Sequence, residues 1–280
     1  MTEKQKKWVR WAVCLGGMAV CAAGIIVAVG MLSGDSHQES TNAGMQTSSQ
    51  IQTEAAAANE HIQEKESGTA SALENIDWDA VVEEMEREPE ILPEYAELKK
   101  EMPDLAGWLK IDGTEIDFPV VQKDNEYYMT HDAYGNEAPD GAVFLEQVND
   151  IKTPDNNLMM YGHNRKNGKM FGLLMAYKDQ AYYEEHPYIQ FDTLYEKGTY
   201  EIISVFLSKV YYTTDTNFKY YQFFGSQNPE QFENYVENVK ALSLYPIEAD
   251  AEFGDELITL STCEYSVENG RMAIVAKKVQ

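Results

Sequence analysis

The stretches Leu257-Ile258-Thr259-Leu260-Ser261-Thr262-Cys263 and Arg271-Met272-Ala273-Ile274-Val275-Ala276 decide the fold prediction. Both are short and rich in β-branched residues, and a polar, glycine-bearing loop separates them, so they predict an antiparallel hairpin. Cys263 then ends one strand and Arg271 begins the next, which places a thiol and a guanidinium at one end of a sheet. Side chains alternate along a strand, so Cys263 shares the more polar face and is open to a substrate. The alternative is a buried structural cysteine, since free cysteine is among the most buried residue types.

The same strand pattern continues through the region before the hairpin. Helices are predicted at 77–100, where Pro89 and Pro93 interrupt the pattern, at 170–177 and at 229–242. Many short strands with few helices predict a mainly β fold, either a barrel or a sandwich, decorated with helices. The predicted strands before the hairpin are 107–111, 116–121, 142–145, 158–161, 188–191 and 200–207.

The N-terminus predicts a membrane anchor. Residues 1–10 contain four basic side chains, and residues 11–32 follow with no charge over 22 positions. A bilayer core needs about 20 apolar residues in a helix, whereas the apolar region of a cleaved signal peptide is about 7–15 residues long. A lipoprotein signal at Cys21 is a further alternative, but Val20 is larger than the residue expected before a lipidated cysteine. The basic segment 1–10 then stays cytoplasmic, and the rest of the chain lies outside the cell membrane.

The extracytoplasmic part begins with residues 33–73, which are polar, almost devoid of large apolar residues and predicted to form a flexible stalk. Beyond the first ten residues the chain keeps 18 basic and 46 acidic side chains, a net charge of −28. Such a surface excludes nucleic acid and anionic lipid as partners.

The positions of the three cysteines in the sequence favour a reactive role for the Cys263 thiol. Cys14 and Cys21 both fall in the predicted membrane span, which leaves Cys263 as the only cysteine outside it. Extracytoplasmic proteins tend to pair their cysteines, so an unpaired one suggests a reactive thiol or an intermolecular bridge. We find no spacing of cysteine and histidine typical of a metal site and no motif for a cofactor.

A nucleophilic thiol needs a histidine or another acid–base group nearby. Three histidines lie in the domain. His131 occupies a turn-like segment and is expected to bond locally to Asp132, and His186 lies beside two acidic residues and is expected at the surface. His163 follows a buried strand and precedes a polar loop. A residue in such a position is held rigidly by the strand and remains accessible to a substrate. The residues alone favour His163 and leave the other two open.

Together these motifs identify a resemblance. Tyr161-Gly162-His163-Asn164, the later Thr259-Leu260-Ser261-Thr262-Cys263 and the downstream Arg271 resemble the sortase family. Residues 107–114 and the stretch Asn125-Glu126-Tyr127-Tyr128-Met129-Thr130-His131-Asp132 are most similar to class B. The resemblance implies a sortase-like eight-stranded β-barrel (103–280) with N-terminal helices (74–102). It also implies a helix in the insert between the sixth and seventh strands, about 211–255, and a catalytic domain spanning 74–280.

A sortase is a membrane-anchored cysteine transpeptidase of Gram-positive bacteria. The resemblance implies that the chain cleaves a C-terminal sorting signal of secreted proteins through a thioester and transfers the acyl group to an amine of a peptidoglycan precursor. Class B favours Asn-Pro-x-Thr or related signals over Leu-Pro-x-Thr-Gly. The alternatives are a pilin-polymerising or mainly hydrolytic cysteine peptidase and a non-enzymatic, surface-displayed binding module.

The resemblance also assigns residue roles. Cys263 is the nucleophile, His163 the general acid and base, and Arg271 stabilises the oxyanion or positions the substrate. Substrate contacts are expected from the neighbours of the cysteine, namely Ser261, Thr262 and Glu264. Some class B members carry an aspartate two residues after the cysteine, but Tyr265 stands there, so a third, acidic catalytic residue is not supported.

Overall fold

The computed structural model describes residues 88–152, 155–165 and 168–280. The predicted basic segment, membrane anchor and stalk lie outside these ranges, as does the first part of the predicted N-terminal helices. Within the described ranges, no helix is long and apolar enough to cross a membrane.

Eight strands close into a barrel, which confirms the mainly β prediction. Their order around the barrel is β1-β2-β3-β4-β7-β8-β6-β5. The pairs β2–β3 and β4–β7 are parallel, and the other neighbouring pairs are antiparallel. The strands are β1 (Leu105–Lys110), β2 (Asp117–Val121), β3 (Val143–Leu145), β4 (Asn157–Tyr161), β5 (Tyr188–Thr193), β6 (Thr199–Lys209), β7 (Leu257–Cys263) and β8 (Gly270–Lys278).

Three α-helices flank the barrel in the described ranges: α1 (Pro93–Glu101), α2 (Gln180–Glu185) and α3 (Pro229–Ala241). Proline begins α1 and α3, a position at which its missing N–H leaves no hydrogen bond unmade. Asn228 caps α3 by accepting a hydrogen bond from the Glu230 amide. The helix predicted at 170–177 is instead a 3₁₀ helix, Phe171–Lys178. Two shorter 3₁₀ helices span Tyr127–Met129 and Tyr220–Gln222.

The insert between β6 and β7 forms a second apolar layer on the outside of the barrel. The predicted apolar stripe of α3 is buried there, which confirms the prediction for this helix. It packs against side chains of β4, β6, β7 and β8 that alternate with those filling the barrel interior. The members of the outer layer include Phe232, Tyr235, Val236 and Val239 of α3, Tyr220, and Met159, Phe206, Ala273 and Val275 of the strands.

This outer layer corrects the expectation of an open polar face on β7. All residues of β7 except the last are buried. Thr259 and Ser261 are covered by the insert, where their hydroxyls form hydrogen bonds with the hydroxyls of Tyr235 and Tyr220 at 3.2 and 2.8 Å. A strand with two covered faces needs partners for its polar side chains on both, and tyrosines of the insert supply them. Only Cys263, at the end of the strand, is partly accessible.

Candidate active site

The antiparallel ladder between β7 and β8 places Cys263 directly opposite Arg271. Cys263 is a free cysteine, and both residues are partly buried. Directly opposed residues of an antiparallel pair have Cβ atoms about 4.5–5.5 Å apart, so the thiol and the guanidinium share one end of the sheet. Arg271 also donates a hydrogen bond of 2.9 Å to the Gly270 carbonyl, and this bond restrains its side chain.

The parallel pairing of β4 with β7 brings His163 to the same end. Tyr161 is the register partner of Ser261, and both strands run in the same direction. His163 and Cys263 each lie two residues further on, so the two side chains leave neighbouring strands at the same level. The strand patterns do not show that these two strands, about 100 residues apart, are neighbours; in the sequence, only the resemblance to sortases placed His163 and Cys263 in one site.

One hydrogen bond orients the His163 ring: its Nε2 lies 2.7 Å from the Met129 carbonyl oxygen. A carbonyl only accepts hydrogen bonds, so Nε2 carries the hydrogen and Nδ1 is the ring nitrogen left for acid–base chemistry. Gly141 packs beside the ring with a backbone φ of 64°. A Cβ there would lie 2.5 Å from the Tyr128 carbonyl oxygen and 3.2 Å from His163 Cδ2, so this position requires glycine.

Cys263, His163 and Arg271 line one cavity of about 280 Å³. Its wall is formed by residues of the barrel rim, the segment after β2 and the insert. These further lining residues are Asn125, Met129, Phe144, Tyr161, Gly162, Val210, Tyr220, Tyr221, Ser261 and Thr262. No group of three or more His, Cys, Asp or Glu side chains that could hold a metal ion occurs in the described part of the chain.

The other two histidines of the domain do not line this cavity. His131 stacks on the Tyr127 ring at a centroid distance of 4.0 Å, and its Nδ1 donates to the Tyr127 carbonyl at 2.9 Å. The expectation that it bonds to Asp132 is wrong, because the ring stacks on Tyr127 and its Nδ1 is directed to the carbonyl of that residue. His186 packs against the Tyr182 ring at the end of α2.

The three predicted substrate contacts are engaged inside the protein. The Ser261 hydroxyl bonds to Tyr220, and the Thr262 hydroxyl donates to the Gly162 carbonyl at 2.7 Å. Both residues still line the cavity, whereas Glu264 does not. Glu264 is 7% exposed and accepts from Lys178 Nζ at 2.7 Å and from the Ser266 amide at 2.9 Å.

This ion pair ties the β7–β8 loop to the 3₁₀ helix Phe171–Lys178. The hydrogen bond from Lys178, and then that from the Ser266 hydroxyl, lower the pKa of Glu264 to about 2, so its carboxylate is ionised throughout the neutral range. Two further bonds tie the β7 end to the loop after His163: Asn164 Nδ2 donates to the Cys263 carbonyl, and the Tyr265 hydroxyl donates to the Asn164 carbonyl, each at 2.8 Å.

Sequence reasoning missed most of the cavity wall. Asn125 and Met129 occur in the stretch that carried the class B resemblance, but that resemblance did not assign either residue to the site. Tyr220 and Tyr221 come from the insert and had no signal at all. Burial raises the pKa of Tyr220 to about 12, so this hydroxyl stays protonated beside the cavity.

Comparison with known proteins gives one consistent family. A family model described as "Sortase domain" matches residues 109–279. Sortase B of Listeria monocytogenes serovar 1/2a is 37% identical over 195 residues, which cover 68% of this chain and 76% of that protein. A Staphylococcus aureus sortase B–substrate complex superposes with a TM-score of 0.61 at 26% identity and covers 82% of this chain and 99% of that one. A sortase B complexed with triglycine has the same TM-score and identity and covers 78% and 100%.

Proposed function

This chain belongs to class B of the sortase family and is a sortase-type cysteine transpeptidase, and we propose that Cys263, His163 and Arg271 form its catalytic set. The observation that supports this assignment is their convergence on one cavity from two distant parts of the chain, the β7–β8 hairpin and the segment after β4. A nucleophile, an acid–base group and a fixed cation are the three parts that acyl transfer through a thioester needs.

In the first half of the reaction, the Cys263 thiol gives its proton to His163 Nδ1, and the resulting thiolate attacks the scissile carbonyl carbon of a sorting signal. Charge develops on the carbonyl oxygen, and the Arg271 guanidinium stabilises it, because a guanidinium cannot lose its proton at neutral pH. His163 gives a proton to the nitrogen of the leaving group. The C–N bond breaks, the C-terminal part of the signal departs as an amine, and the thioester remains on Cys263.

In the second half, an acceptor amine attacks the thioester carbonyl. His163 takes a proton from that nitrogen, the C–S bond breaks, and the Cys263 thiolate is released. The acceptor is the amine of a peptidoglycan precursor. The triglycine bound to the sortase B neighbour supports a short glycine peptide as the chemical class of that acceptor.

The signal recognised is a short peptide of the Asn-Pro-x-Thr type near the C-terminus of a secreted protein. The chain acts outside the cell membrane, held by residues 11–32 with residues 1–10 in the cytoplasm. The uncharged length of that segment after a basic cluster supports this placement.

The test combines a peptide library with a glycine acceptor. Peptides carrying Asn-Pro-x-Thr and Leu-Pro-x-Thr-Gly signals are incubated with the protein, with and without triglycine. Mass spectrometry should find an acyl adduct on Cys263 and a ligated triglycine product. The Cys263→Ala variant should give neither. Purely hydrolytic products at every triglycine concentration would contradict transfer, and full turnover by the variant would contradict the role of Cys263.

A further inference from the structure

A buried carboxylate lies directly behind the cavity wall and takes no part in the reaction described above. Glu146, which follows β3, is 5% exposed. Its Oε1 accepts from Asn125 Nδ2 at 2.6 Å, and its Oε2 accepts from the Tyr161 hydroxyl at 2.9 Å. Asn125 and Tyr161 both line the cavity. Each oxygen of Glu146 therefore holds one polar group of the wall.

Glu146 is absent from the ion pairs between the residues that the structure describes. A buried carboxylate is expensive unless it is paired or hydrogen-bonded, and an apolar side chain of similar volume is often as stable or more so. Glu146 is thus a poor choice for stability alone. Its two hydrogen bonds lead to the cavity, which points to a role there.

The two bonds fix the polarity of the wall. The Tyr161 hydroxyl has one hydrogen, and a carboxylate is a stronger acceptor than its other neighbour, the Met159 sulfur at 3.1 Å. With the hydrogen directed to Glu146, only lone pairs of that oxygen remain for a ligand. The Asn125 amide is equally fixed, because its Oδ1 accepts from the Gln147 amide at 3.0 Å.

We propose that Glu146 is a positioning residue that presents the Tyr161 hydroxyl as a hydrogen-bond acceptor to a main-chain N–H of the bound signal peptide. This inference rests on the proposed function, since it assumes that the cavity holds the peptide. Burial, together with the nearby charge of Glu146, raises the pKa of Tyr161, which keeps its hydroxyl protonated and donating to the carboxylate.

The test is a scan of N-methylated signal peptides against Glu146→Gln and Tyr161→Phe. In the wild-type protein, one N-methylated position should raise KM about fivefold to tenfold, the effect of one lost hydrogen bond. Tyr161→Phe should raise KM for the unmodified peptide by a similar factor and abolish the penalty at that position. Glu146→Gln should shrink the penalty and raise KM while kcat changes less than about twofold, because a glutamine Nε2 can donate to Tyr161 and frees its hydrogen.

The matched control uses a second tyrosine–carboxylate bond. The Tyr95 hydroxyl donates to Asp192 Oδ2 at 2.8 Å, and neither residue lines the cavity. Tyr95→Phe and Asp192→Asn should lower the melting temperature without changing KM or the N-methyl scan. If these controls change KM as much as Glu146→Gln does, the effect is structural and the inference is wrong.

The scan also separates this inference from the proposed function. A wild-type protein that forms the Cys263 thioester but shows the same N-methyl penalties as Tyr161→Phe overturns the role of Glu146 and Tyr161 alone. An unchanged KM in both Glu146→Gln and Tyr161→Phe would likewise overturn the role of Glu146 and Tyr161 alone. A wild-type protein that forms no thioester with any signal peptide overturns the proposed function and this inference with it. Tyr161→Phe keeps the test decisive if Glu146→Gln does not fold.

Discussion

The two sides of the cavity are held in different ways. Cys263 is the last residue of a strand with hydrogen-bonded neighbours on both sides, and the Glu264–Lys178 ion pair fixes the loop that follows it. His163 lies two residues beyond the end of β4, and its ring is oriented by one hydrogen bond to the Met129 carbonyl. The nucleophile is placed by the sheet, and the histidine is placed by a loop from a distant part of the sequence.

The cysteine side and the histidine side of the cavity are therefore sensitive to different changes. A strand end inside a ladder moves only if the barrel moves, because interior packing resists small displacements. A ring held by a single loop carbonyl is sensitive to changes in that loop, which includes Gly141. Damage to the histidine side should therefore reduce catalysis while leaving Cys263 intact, and damage to the cysteine side should appear first in stability.

The largest expected effect is the loss of the His163 side chain. His163→Ala should reduce kcat by about 10²–10⁴-fold, the usual contribution of a general acid–base group. His131→Ala should change kcat by less than about threefold, because the His131 ring contacts Tyr127 outside the cavity. The measurement is transpeptidation of a signal peptide at saturating concentration. Comparable losses in the two variants would show that the wrong histidine has been assigned.

A smaller effect is expected from Gly141→Ala, which disturbs the histidine side without touching a reacting group. The added Cβ meets the Tyr128 carbonyl at 2.5 Å. The backbone φ of 64° there adds strain of about 1–3 kcal/mol. We expect kcat to fall about tenfold, since a small misplacement of a catalytic group has effects of this order or larger.

Alkylation by iodoacetamide shows whether that loss is confined to the histidine side. In Gly141→Ala, the alkylation rate of Cys263 should match the wild-type rate. Gly168→Ala is the matched control, because Gly168 has a φ of 74° but no atom of the described residues within 4 Å of its would-be Cβ. An alkylation rate that falls in step with kcat would contradict the independence of the two sides.

The smallest effect concerns the ion pair on the cysteine side. Glu264→Gln should cost about 1 kcal/mol and lower the melting temperature by about 2–4 °C at pH 7. The pKa of Glu264 is lowered from 4.5 to about 2, first by Lys178 and then by Ser266. A carboxyl group whose pKa is lowered on folding stabilises the folded state at pH values above its ordinary pKa. This stabilisation is lost as the pH falls from about 4.5 to about 2.

The measurement is thermal unfolding of wild type and Glu264→Gln between pH 7 and pH 2. The gap between their melting temperatures should close as the pH falls through that range. Lys178→Met removes the other partner and should produce a comparable shift at pH 7. A gap that stays constant down to pH 2 would show that the ion pair does not stabilise the β7–β8 loop.

Much of the barrel could be predicted from the sequence, because strands have a period of two and end at turn residues. All eight strands were predicted within a few residues, and α3 was predicted from its apolar stripe. The 3₁₀ helix Phe171–Lys178 was predicted only as a helix, since hydrogen-bond spacing is not written in the apolar pattern. The burial of β7 beneath the insert was not predicted, because Thr259 and Ser261 alternate with apolar residues. That alternation is the same whether the polar face of the strand contacts solvent or the tyrosine hydroxyls of the insert.

Three parts of the site can be identified from the amino-acid sequence: the hairpin that joins Cys263 to Arg271, a histidine at the end of a buried strand, and the motifs of the family. Local patterns suffice there because the residues concerned are neighbours in the chain or in one hairpin. The parallel pairing of β4 with β7, which brings His163 level with Cys263, is visible only in the three-dimensional structure. The same holds for the bond between Glu264 and Lys178 and for the position of Glu146 behind Asn125 and Tyr161. Contacts between distant segments depend on the register and packing of the whole barrel, which no local pattern records.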